Sequence, residues 1–147
     1  GQRQMCIRDS VVPDQPLSTH KARQAIPQHI PHQDAVFNAS RTALYVGALM
    51  SGNYQYLNAA LEDRLHQPYR IPLITGTEAV FEAAKANGAY GAIISGAGST
   101  LMAYVDPEKD CDIIAAAMTD AFEKYGQRST AHILKLDING AREKEHS

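Results

Sequence analysis

Between Pro31 and Gly52, Val36, Ala39, Ala43, Val46 and Met50 recur at steps of three and four residues, the spacing that gathers side chains on one face of an α-helix. Pro31 suits a first helical turn, where its missing N–H is not needed, and Gly52 ends the pattern. Upstream, Ser10-Val11-Val12-Pro13 reads as the tail of a strand. Ser18 or Thr19 can then cap a short helix that contains Arg23 and must end at Pro27. Downstream, Asn53 predicts the cap of a second helix carrying Leu57, Ala60, Leu61 and Arg64. Pro68 and Pro72 predict an extended segment around Tyr69-Arg70-Ile71, because the residue before a proline is pushed out of the helical region. Thr75 or Thr77 predicts the start of a helix with Val80, Phe81 and Ala84 on one side, closed by Gly88.

Two short apolar runs, Ala92–Ile94 and Leu101–Val105, flank the stretch Ser95-Gly96-Ala97-Gly98-Ser99, which predicts an antiparallel strand pair joined by a glycine-rich turn. Asp106-Pro107 is a cap with proline at the first helical position, and Ile113, Ile114, Ala117, Ala121, Phe122 and Tyr125 form the core stripe of the helix that follows. From Thr130 to Ile138 the residues His132, Leu134, Leu136 and Ile138 alternate with Ile133, Lys135 and Asp137, the period of a half-buried strand. Residues 1–9 show no period and are set apart as an unmatched leader, and residues 142–147 form a charged tail. Helices and strands mix without regular alternation, so residues 10–141 are expected to form one α+β domain, a small, mostly antiparallel sheet packed with helices.

A length of 147 residues suits one domain, and 44% hydrophobic with 20% charged residues excludes a disordered or fibrous chain. Fourteen Lys and Arg against sixteen Asp and Glu leave a formal charge of -2, which provides no global attraction for nucleic acid or an acidic membrane. Cys6 and Cys111 stand far apart without CxxC spacing, as expected of reduced thiols. No apolar run approaches the roughly 20 residues of a membrane span, and a cytoplasmic location is expected.

The candidate chemistry is sparse. Ser95, Gly96, Ala97 and Gly98 have so little side-chain bulk that a ligand could approach the backbone, and a plain hairpin turn is the competing reading. The stretch is not a phosphate-binding loop of the Gly-Lys-Ser/Thr type. Arg23 on its capped helix and Arg70 between two prolines could each grip a carboxylate bidentately, against the alternative of a solvated surface charge. Pro31 breaks the spacing of His29 and His32, and Asp63 with His66 lacks a third ligand, so no metal site is assigned. His66 could brace the segment bearing Arg70, and His132 reads as a strand residue half inside the core. No Gly-x-Ser-x-Gly elbow supports hydrolysis. Composition and spacing stop at a domain that binds a small anion.

Three stretches in order, Ser18-Thr19-His20-Lys21-Ala22-Arg23, His32-Gln33-Asp34-Ala35-Val36-Phe37-Asn38-Ala39-Ser40-Arg41 and Asp63-Arg64-Leu65-His66-Gln67-Pro68-Tyr69-Arg70, resemble bacterial homoserine kinases. Ser95-Gly96-Ala97-Gly98-Ser99-Thr100 is similar to the C-terminal glycine motif of the GHMP small-molecule kinases, with Ser99 where many members have proline. The likeness runs from Val11 to Ala141. It implies the GHMP C-terminal domain with its ferredoxin-like fold, taken from an enzyme that phosphorylates L-homoserine with ATP and magnesium on the way to threonine. It also implies that Arg23 and Arg70 face the homoserine carboxylate, that Ser95, Gly96, Ala97 and Gly98 border the substrate, and that His66 supports them. The family's N-terminal domain, which carries the nucleotide and magnesium sites, has no counterpart in this sequence. The chain alone is therefore expected to be inactive, and the face that meets that domain is expected to be apolar and to favour homo-oligomers. Two alternatives stand beside this reading: a fragment of another GHMP kinase with a different acceptor, and a non-catalytic regulatory domain that binds an amino acid.

Overall fold

The computed structural model describes residues 6–135. Four strands form one antiparallel sheet in the order β2-β3-β1-β4: β1 (Cys6–Pro13), β2 (Gly91–Ile94), β3 (Leu101–Tyr104) and β4 (Ser129–Lys135). The helices are α1 (Thr19–Gln24), α2 (His32–Ser51), the single turns α3 (Leu57–Ala60) and α4 (Gln67–Arg70), α5 (Thr77–Ala86) and α6 (Cys111–Lys124). The strands with α5 and α6 give the ferredoxin-like order β-α-β-β-α-β, and α1 to α4 are inserted between β1 and α5. The expected α+β fold with a small antiparallel sheet is what the chain forms.

Strand alternation splits the sheet's side chains between two layers. Val11, Leu101 and Ala103 meet Val80 and Ala84 of α5 and Ile114, Met118 and Phe122 of α6, the main core. Met102 and Tyr104 point the other way, where Tyr45, Ala48 and Leu49 of α2 and Leu57 of α3 cover them. The sheet therefore carries helices on both faces, and the inserted segment supplies the second layer.

Several expectations are corrected. Strand β1 already begins at Cys6, within the stretch that shows no period, because pairing with both β3 and β4 holds it extended. The helix expected after Asn53 is a 3-10 turn at Tyr54–Tyr56 followed by α3, which ends before Arg64. Tyr69-Arg70-Ile71 is helical rather than extended: Pro68 and Pro72 each sit in the first turn of a short helix, α4 and a 3-10 turn at Ile71–Leu73, where a proline takes no hydrogen bond away. Gly76 precedes α5 and Thr77 bonds back to the Ile74 carbonyl, so neither threonine caps that helix. Helix α6 is capped by Asp110, whose carboxylate accepts the N–H groups of Asp112 and Ile113, and not by Asp106. Strand β4 is exposed along nearly its whole length, His132 included, at the edge of the sheet; Leu136 and Ile138 lie outside the described residues.

The largest difference concerns α2. Its stripe Val36, Val46 and Met50 is 55%, 53% and 73% exposed, while a neighbouring face of the helix, with Tyr45, Ala48 and Leu49, packs against the sheet. Both sets satisfy a helical period, so spacing alone cannot choose between them.

Candidate functional site

The candidate site grows from the twenty-residue helix α2 and the turn that follows α3. Asp63 lies in that turn and accepts four hydrogen bonds, from Asn38 Nδ2 (2.7 Å), Leu65 N (2.9 Å), His66 N (3.0 Å) and Gln67 N (2.7 Å). Burial pushes this carboxyl up, but the bonds from Gln67, Leu65, Asn38 and His66 outweigh it and hold the pKa below the ordinary aspartate value. The carboxylate thereby collects amide donors at the start of α4 and fixes where that turn begins.

Asn38 ties the turn to α2 a second time, since its Oδ1 accepts the Arg64 N–H at 2.8 Å. Around this pair, Arg41 meets Glu62 at 2.8 Å, Arg64 meets Asp34 at 3.2 Å, and both guanidinium groups lie over the ring of Phe37. The two motif stretches from His32 to Arg41 and from Asp63 to Arg70 thus interlock through Asn38, Asp34, Phe37, Asp63 and Arg64.

Helix α4 in turn holds the glycine loop at two points. At its start, Gln67 Oε1 accepts the Ile94 N–H at 2.8 Å on the outer edge of β2. At its end, Arg70 Nη1 donates to the Gly96 carbonyl at 2.9 Å, and Arg70 Nε reaches the Ala22 carbonyl at 3.4 Å, one residue before Arg23. The loop itself closes through Ser95 N to Thr100 O at 2.8 Å and Gly98 N to Ser95 O at 3.1 Å, with positive φ at Gly96 (59°) and Gly98 (88°). It is at once the glycine turn of a hairpin and a backbone surface beside an arginine.

The structure therefore sets Arg70 against the loop Ser95, Gly96, Ala97 and Gly98 at the Gly96 carbonyl and ties α1 to Arg70 through the Ala22 carbonyl, while no hydrogen bond among the described residues brings the side chain of Arg23 to the loop. Arg70 is half-buried and Arg23 is exposed, and among the described residues no carboxylate pairs with either. An anion beside them would meet uncompensated positive charge. His66 contributes its backbone N–H to Asp63 while its side chain is exposed, and the bracing of Arg70's segment comes from Asp63 and Gln67. Sequence reasoning missed Asn38, Asp63 and Gln67. A signal existed for Asp63, an acidic residue a few positions before a proline that opens a helix. A cleft of about 330 Å³ nearby is lined by Leu61, Asp63, Gln67, Ile71 and Phe81, and neither arginine nor the glycine loop lines it. No helix among the described residues is long and apolar enough to cross a membrane.

With this geometry established, comparison with known proteins defines the class. The family model described as GHMP kinases C terminal matches residues 45–124, and the chain belongs to this family. Several curated proteins that it resembles carry the name homoserine kinase. The chain is 47% identical over 129 residues to a homoserine kinase of Picosynechococcus sp., covering 88% of this chain and 42% of that protein. It is 42% identical over 131 residues to a homoserine kinase of Persephonella marina, covering 89% and 43%. The crystal structure of homoserine kinase from Cytophaga hutchinsonii superposes with a TM-score of 0.84 at 25% identity, over 88% of this chain and 41% of that one. The chain thus spans about two fifths of the length of the homoserine kinases it resembles.

Proposed function

We propose that this chain is the substrate-holding C-terminal part of a homoserine kinase, the domain beginning with the strand at Cys6. The enzyme would move the γ-phosphoryl group of ATP to the side-chain hydroxyl of L-homoserine, giving O-phospho-L-homoserine and ADP. Phosphoryl transfer depends mainly on aligning the hydroxyl with the γ-phosphorus and neutralising charge, so a domain that grips the amino acid contributes positioning. The observation that carries this reading is the hydrogen bond from Arg70 to the Gly96 carbonyl, which sets a guanidinium against the glycine loop in a chain 47% identical to a homoserine kinase. Arg70 and Arg23 would take the substrate carboxylate, and Ser95, Gly96, Ala97 and Gly98 would border the rest of it.

Among the described residues no group of three or more His, Cys, Asp or Glu is placed to hold a metal ion. In this reading the carboxylates for magnesium and the contacts for ATP come from the remainder of the full-length protein. The outer face of α2 suits that partner. From Ala35 through Val36, Ala39, Ala43, Val46 and Gly47 to Met50 it is exposed and bears no charge, as expected of a helix that is covered on both sides.

The test is ATP-dependent phosphorylation of L-homoserine by this chain, alone and joined to the upstream part of the Picosynechococcus relative. Activity only in the joined protein supports the reading. Activity of the chain alone would overturn the placement of the nucleotide site, and a joined protein that phosphorylates a different alcohol, or none, would overturn the substrate.

A further inference from the structure

Arg70 is the side chain on which the proposed site turns, yet the atoms that fix its position lie elsewhere. It sits at the end of the four-residue α4, and so short a helix does not hold itself in water. Its direction must be set from outside, and the hydrogen bonds at its start show how. Asp63 takes three consecutive backbone N–H groups, those of Leu65, His66 and Gln67. Asp63 in turn is fixed by Asn38, which reaches across from α2, 25 positions away in the chain.

We infer that Asn38 and Asp63 are positioning residues for Arg70: together they dock the start of α4 on α2, so that its far end presents the guanidinium to the Gly96 carbonyl and to a bound carboxylate. The chemistry of position 38 is specific. Its amide donates to Asp63 Oδ1 and accepts from Arg64 N–H at the same time. The asparagine amide does both; an aspartate there keeps the acceptor and turns the donor into a second carboxylate facing Asp63. The neighbouring Arg41–Glu62 pair joins the same two segments without touching Asp63, and Glu62 is largely exposed, so it serves as an internal control. The carboxylate role of Arg70 rests on the homoserine kinase reading, whereas the docking of Arg70 does not.

The experiment uses this chain, labelled with nitrogen-15, and reads the exchange with water of the Arg70 Nε–H, assigned by its disappearance in R70K. Loss of one half-buried hydrogen bond of this kind should speed that exchange about tenfold in N38A and D63N. N38D should exceed N38A although it is nearly isosteric with asparagine, and R41A should stay near the unsubstituted chain. An N38D variant that behaves like the unsubstituted chain, or R41A loosening Arg70 as much as N38A does, would overturn the inference in favour of plain packing. Should D63N fail to fold, N38A and N38D decide the matter alone. Titration with L-homoserine separates the two claims. An Arg70 signal indifferent to the amino acid counts against the carboxylate reading, while the variant series still decides whether Asn38 and Asp63 position the side chain.

Discussion

Arg70 donates from Nη1 to the carbonyl of Gly96 at 2.9 Å, across 26 positions of sequence, and so anchors a cation on the backbone of the glycine loop. The bond leaves the other nitrogens of the fork directed elsewhere, one of them weakly to Ala22, and a planar fork can serve a carbonyl and a carboxylate together. In the complete enzyme, R70A should lower kcat/KM for L-homoserine by about 2 to 4 kcal/mol in transition-state binding. R70K should recover little of it, since an ammonium cannot span both partners. Steady-state kinetics with L-homoserine as the varied substrate checks this, and an unchanged kcat/KM in R70A would remove Arg70 from the site.

The Asp63 carboxyl has its pKa below the ordinary value because four donors favour its charged form over the cost of burial. A group whose pKa is depressed on folding contributes stability above its unfolded pKa and loses it as pH falls through the folded one. D63N should therefore cost about 1 to 3 kcal/mol at neutral pH. The gap to the unsubstituted chain should hold steady down to about pH 4 and then close as the pH falls further. Urea unfolding of both chains between pH 7 and pH 3 measures it, and a gap independent of pH would show that Asp63 stabilises without its charge.

Local signals were legible where one residue decides the outcome. Ser18 caps α1, Gly52 ends α2, and the run Ser95–Thr100 closes the β2–β3 hairpin, as their residue types require. What the sequence hid depends on partners distant in the chain. Cys6 to Asp9 become strand only because β3 and β4 flank them. Val36 and Val46 looked like core because α2 is apolar on two sides, and which side faces the sheet is decided by Tyr104 and Leu57. The arginines could be singled out by their setting, but Asn38 and Asp63 are ordinary polar residues until the fold sets one against the other.

Gly98 and Gly96 make different demands on the loop, and their substitution separates conformation from space. At Gly98, φ is 88° and an added Cβ would lie 2.7 Å from Ile74 Cδ1, with Ile94 and Leu17 close behind. At Gly96, φ is 59° and nothing stands within 4 Å. G98A should thus destabilise the chain by about 2 to 3 kcal/mol, strain and overpacking combined. G96A should cost about 1 kcal/mol, and G96N less, because asparagine tolerates the left-handed region. Thermal unfolding of the three variants gives the order directly; equal losses for G98A and G96A would mean that the loop shifts to admit the methyl group.

The outer face of α2 should govern how the chain behaves in solution. Val46 is 53% exposed, so V46D removes apolar surface without opening the core, whereas Ala48 on the inner face is 2% exposed and packs with Leu57 and Tyr104. If the uncharged stripe from Ala35 to Met50 drives association, the unsubstituted chain should sediment as a concentration-dependent mixture and V46D should shift it to monomer with its melting temperature nearly unchanged. A48D should instead fail to fold, because it buries an unpaired charge. Sedimentation velocity across a concentration series tests this. A chain that is monomeric before any substitution would show that this face does not associate by itself, and a V46D variant that still associates would move the contact to the exposed strand β4.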